Sequence, residues 1–117
     1  MSYDLSFWKY SDGVSLNHHE IYLALSNGDE IEGIQSIDSE AIRQTVESEF
    51  LRIGWSRLGP NDFESDAGSF QLYHTEQLFR VDCYGMSGDD MNRLIDIAVG
   101  FGCRLYDPQV GERYGKG

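Results

Sequence analysis

Residues 68–75 and 78–85 read as two β-strands turning around Thr75, Glu76 and Gln77, because apolar and polar side chains alternate along both. In the second strand Phe79, Val81 and Cys83 face one way, and Arg80, Asp82 and Tyr84 face the other. In the first, Phe70 and Leu72 join the apolar side and leave Gln71 and Tyr73 outside. A third strand is predicted over residues 3–10, with Leu5 and Phe7 on one face and Asp4, Ser6 and Trp8 on the other. A short last strand fits residues 103–106.

Three helices surround these strands. Residues 17–26 carry Asn17 and Glu20 at capping-box spacing and an apolar stripe of Ile21, Ala24 and Leu25. Residues 39–51 are capped by Asp38 or Ser39, and Ile42, Val46 and Phe50 recur every four residues. Residues 88–101 follow the N-cap Ser87, with Asp89 and Asp90 at the positive end of the helix dipole. Their stripe is Met91, Leu94, Ile95, Ala98 and Phe101. Between residues 55 and 68 the turn signal Gly59-Pro60-Asn61-Asp62 leaves short strands and an irregular loop as alternatives.

The order is β-α-α-β-β-α-β. Without one helix it is the split pattern of the ferredoxin-like fold. The expectation is an α+β domain over residues 1–110, a ferredoxin-like antiparallel sheet with its helices on one face, and a flexible tail at 111–117. The other face would then gather Trp8, Tyr73, Arg80, Asp82 and Tyr84. An exposed sheet face carries such residues without any function. Trp, Tyr and Arg are also the residue types of binding hot spots.

Charge bears on partners. Of 117 residues, 20 are Asp or Glu and 9 are Lys or Arg, a formal charge of -11. Nucleic acid and anionic membranes are repelled by such a chain, and a basic protein is drawn in. Residues 29–66 hold ten acids against three bases, with the densest clusters at Asp29, Glu30 and Glu32 and at Asp62, Glu64 and Asp66. These clusters fit a solvated surface, a weak cation site, or a lobe that mimics phosphate spacing.

Catalytic and metal signals are weak. His18 and His19 are adjacent, which places them about 100° apart on a helix rather than on one chelating face. His74 is a distant third candidate. Cys83 and Cys103 lack CxxC spacing and read as buried, inert thiols on strands about 10 Å apart, too far for a disulfide. No phosphate loop, nucleophile elbow or dinucleotide fingerprint appears, so no cofactor and no metal are expected, and the chain is read as a non-enzyme. The start MSYDLSFWKY has no signal-peptide pattern, and no apolar run approaches a membrane span, which favours the cytoplasm.

Three segments resemble a known class: Tyr3-Asp4-Leu5-Ser6-Phe7-Trp8-Lys9, GSFQLYHTEQLFRVDCYG over residues 68–85, and CRLYDPQVGERY over residues 103–114. Together they resemble small bacterial immunity proteins of polymorphic toxin systems, including those of contact-dependent growth inhibition. The resemblance implies a cytoplasmic protein, monomeric or weakly dimeric when free, that binds the C-terminal domain of a cognate toxin and blocks its active site. The acidity agrees with a nuclease-type toxin, which is basic because it holds a polyanion. Expected contact residues are the two acidic clusters and the Trp8, Tyr73, Arg80, Asp82 and Tyr84 face. The alternatives are a small-molecule-binding or regulatory ferredoxin-like domain, and an enzyme using Asp and His residues such as His74 and Asp82.

Overall fold

The computed structural model of the chain describes residues 2–14, 16–107 and 112–114. In chain order they form β1 (Ser2–Trp8), α1 (His18–Ser26), α2 (Ser39–Arg52), β2 (Ser56–Gly59), β3 (Asp62–Ser65), β4 (Gly68–His74), β5 (Phe79–Tyr84), α3 (Gly88–Gly100), β6 (Arg104–Asp107) and β7 (Glu112–Tyr114). The strands make one antiparallel sheet in the order β2-β3-β4-β5-β1-β6-β7. The chain is therefore α+β, with an antiparallel sheet and three helices.

Local chemistry starts each helix where the sequence predicts. The side chains of Asn17, Asp38 and Ser87 accept hydrogen bonds from the backbone N–H of Glu20, Ala41 and Asp90. Asp38 takes the capping role, while the Ser39 hydroxyl donates to the Thr75 carbonyl and ties α2 to the β4–β5 turn. That turn is closed by Thr75, whose Oγ1 accepts from the N–H of Gln77 at 3.2 Å and of Leu78 at 3.1 Å.

Two stretches extend the sheet beyond the predicted strands. Residues 55–68 form a second hairpin, β2 and β3, which adds to the β4 edge. Aromatic packing holds it: Trp55 is edge-on to Phe50 with centroids 5.3 Å apart, and Phe63 stacks on Phe70 at 5.0 Å. At the other edge, part of the segment expected as a flexible tail, Glu112–Tyr114, pairs with β6 as β7. Residues 108–111 and 115–117 lie outside the described residues.

Gly68 opens β4 with φ +127°, a region that side chains rarely enter, and a Cβ there would sit 2.7 Å from the Tyr84 carbonyl oxygen. That oxygen and the Gly85 carbonyl, 2.9 Å away, are backbone, which gives little. Gly68→Ala is expected to cost about 2 kcal/mol, read as a lower urea midpoint at unchanged slope.

The layers differ from the sequence expectation. One face is covered by α2 and α3, whose Ile42, Val46, Phe50, Leu94 and Ala98 pack on Leu5, Phe7, Phe70, Phe79 and Val81. The second face is not left open along its whole length. Ile21 and Leu25 of α1, with Ile34 from the following loop, pack there on Trp8, Leu78 and Tyr106. The helices thus lie on both faces, a correction to the one-faced arrangement. The reason is burial: Trp8, Leu78 and Tyr106 project from the outer face, and all three are fully buried. Gln77 pins the loop over them, accepting from Ile31 N–H at 2.8 Å and donating to the carbonyls of Ile31 and Ile34 at 3.0 and 2.9 Å.

Candidate functional site

Strand register sorts the outer face into rows. Tyr84, Ser69 and Glu64 lie side by side across β5, β4 and β3. The next row is Asp4, Asp82, Gln71 and Asp62. The third is Ser6, Arg80 and Tyr73, with Tyr106 of β6 on the far side of Ser6. With strands about 4.8 Å apart, the second row spans about 14 Å. Helix α1 covers the sheet from the third row onward, where Ser6 and Tyr106 are fully buried. The first two rows are open: Glu64, Gln71 and Tyr84 are exposed, and Asp4, Asp62 and Asp82 are half-buried.

A polar network joins the open and covered parts. Arg80 grips Asp82 with two hydrogen bonds, Nε at 3.0 Å and Nη2 at 3.2 Å. Its guanidinium lies 4.9 Å above the Tyr73 ring. The Tyr22 hydroxyl on α1 donates to Asp4 at 3.3 Å. Asp4 faces Asp82 directly across β1 and β5. Burial, and then the Asp82 charge, push the Asp4 carboxyl above its ordinary value of 3.8. The native state therefore holds a proton on Asp4 at pH values where the unfolded chain has lost it. Stability falls as pH rises through that window above 3.8 and stays lower beyond it. Asp4→Asn removes the charge and the fall. Solvent screening keeps the gain at neutral pH below about 1 kcal/mol, read as a small rise in Tm that disappears in acid.

The residues singled out from sequence separate into groups. Tyr73, Arg80, Asp82 and Tyr84 share the outer face as expected from their alternation. Trp8 is on that face too, but it is sealed beneath α1 and is not a contact residue; its size draws the helix over it. Asp62 and Glu64, in the stretch left between short strands and a loop, lie on β3 and join the open rows, while Asp66 is exposed in the β3–β4 turn. Asp29 and Glu30 border a hollow with Thr75 and Gln77, at the opposite end of β4 from Asp66, so a seven-residue strand of about 20 Å separates them. Glu32 is exposed in the same loop. The acidic stretch 29–66 is therefore not one lobe. Its α2 members are paired, Glu40 with Arg43 at 2.8 Å, Glu47 with Arg57 at 3.0 Å, and Glu49 with Arg52 and Arg93. These hydrogen bonds hold Glu40 and Glu49 below the usual carboxylate range.

Asp4, Tyr22 and Leu58 are not among the contact residues expected from the sequence. Asp4 shares the parity of Trp8 and was legible as an outer residue. Tyr22 is adjacent to the buried Ile21, but nothing in the sequence places α1 on this face. Leu58 became an edge residue only once β2 formed, and it is 62% exposed.

The catalytic candidates are not assembled. His74 pairs in register with Phe79 and stacks on it, on the face opposite Asp82. His18 and His19 engage different phenols, Tyr10 at 2.8 Å and Tyr106 at 2.9 Å, and fasten the start of α1 to the sheet. Among the described residues no three His, Cys, Asp or Glu side chains gather as a metal site. Cys83 and Cys103 are buried, on either side of β1. Burial, with Asp82 and Asp4 nearby, pushes the Cys83 thiol up to about 12. It is expected to resist alkylation at about pH 8 in the folded chain and to react on denaturation, a difference that mass spectrometry resolves. A hollow of about 440 Å³ is an open groove between α2 and α3 lined by Glu49, Arg52, Arg93 and Asp96.

Comparison of the chain with protein-family models, with curated proteins and with solved structures gave no match.

Proposed function

We propose that this chain is an immunity protein that binds a basic, nuclease-type toxin domain and occludes its active site. The observation that carries the reading is the outer sheet face, where Asp4, Asp62, Glu64 and Asp82 lie within neighbouring rows and the adjacent base Arg80 is itself held by Asp82. An inhibitor of this kind works by complementary charge and shape and needs no chemistry of its own. The strand order β4-β5-β1-β6 under α2 and α3 supports a ferredoxin-like core, to which the β2–β3 hairpin, α1 and β7 are additions. No helix among the described residues is long and apolar enough to cross a membrane, which suits action in the cytoplasm of the producing cell.

The test is co-expression with the C-terminal domain of a candidate toxin from the neighbouring open reading frame. Restored growth, and suppression of the toxin's activity in vitro at a one-to-one ratio, are the expected results. Absence of both sinks the proposal.

A further inference from the structure

We infer that the open rows of the outer sheet face, from Asp4 across to Leu58 at the β2 edge, are a docking surface for a basic protein that brings arginine or lysine side chains. The inference rests on the immunity reading and narrows it to one surface. Charge is the first support. Four carboxylates are spread over about 14 Å of sheet, and among the described residues no ion pair engages Asp62 or Glu64. Arg80, the base that borders these rows, is already committed to Asp82.

Apolar anchors are the second support. Leu58 and Tyr84, 62% and 40% exposed, line a shallow hollow of about 270 Å³ with Asp62, Glu64, Ser69 and Gln71. Exposed aromatic and aliphatic side chains inside a polar rim are the anatomy of a binding hot spot. Strands carry all of it, so little order is lost on binding.

The rival acidic surfaces offer less. On α2 the acids are matched by Arg43, Arg52, Arg57 and Arg93. The loop at 29–32 has charge, but none of the exposed large apolar side chains falls within residues 27–38. A second copy of this chain is a poor occupant, because it would set carboxylates against carboxylates.

The experiment uses the full chain, labelled with nitrogen-15, and a hexa-arginine peptide at low salt. The largest amide shifts are expected at Asp4, Asp62, Glu64, Asp82 and Tyr84. The double variant Asp62→Lys/Glu64→Lys is expected to bind the peptide at least tenfold more weakly while keeping a folded spectrum. Shifts centred on residues 29–32 or on α2, or a double variant that binds as well as the parent, overturn the inference. So do concentration-dependent shifts at Leu58 and Tyr84 without peptide, which mark a second copy as the occupant. The peptide map stands apart from toxin neutralisation, so either can fail alone.

Discussion

Trp8→Ala is expected to lower stability by about 3–5 kcal/mol, the usual loss when a buried Trp is cut to Ala. Trp8 has no exposed surface; it packs against Tyr106 at 5.3 Å between ring centroids and edge-on to Tyr10 at 6.3 Å. It is also the floor on which Ile21 and Leu25 rest. Helix α1 has nine residues, too few for an isolated helix to persist in water, so its order depends on that floor. Urea denaturation gives the global loss. Hydrogen exchange gives its distribution: α1 amides should lose protection before those of β4 and β5. A loss under about 1 kcal/mol would mean that α1 does not seal the outer face.

Reversing both open charges on β3, Asp62→Lys with Glu64→Lys, is expected to slow association with a basic toxin domain about 10–100-fold. Folding should hardly change, because neither residue is buried and surface substitutions stay within about 0.5 kcal/mol. Glu40→Lys on α2 makes the contrast. Glu40 is matched by Arg43 on the opposite side of the sheet, and its reversal is expected to leave association within about threefold. Stopped-flow rates at two salt concentrations separate the cases, since only the β3 variant should also flatten the salt dependence.

Much of the architecture was legible in the sequence because it is written in local periodicity. Alternation in residues 68–85 gave the central hairpin and its buried side, and the caps Asn17, Asp38 and Ser87 gave the helix starts. What stayed hidden depends on contacts distant in sequence. The β2–β3 hairpin needs Trp55 against Phe50 and Phe70, and turn signals alone do not report such packing. The placement of α1 is set by Trp8 and Tyr106, nearly a hundred residues apart. Alternation put Trp8 on the outer face correctly, yet a face is not an exposure. The same limit misjudged the acidic stretch 29–66: net charge along a chain cannot show that Glu47 meets Arg57 or that Glu49 meets Arg93. Asp62 and Glu64 joined Asp4 and Asp82 on one face only through strand order.

The central claim, that the acidic outer face captures a basic toxin domain, is tested most directly by calorimetric titration of the full chain with the C-terminal domain of a candidate toxin from the neighbouring open reading frame. The titration is run at about 50 mM and about 500 mM salt, on either side of strong screening. The account predicts one-to-one binding that weakens at least tenfold at the higher salt and more than tenfold again in the Asp62→Lys/Glu64→Lys variant. Absence of binding at low salt, or binding that neither salt nor charge reversal alters, would contradict it.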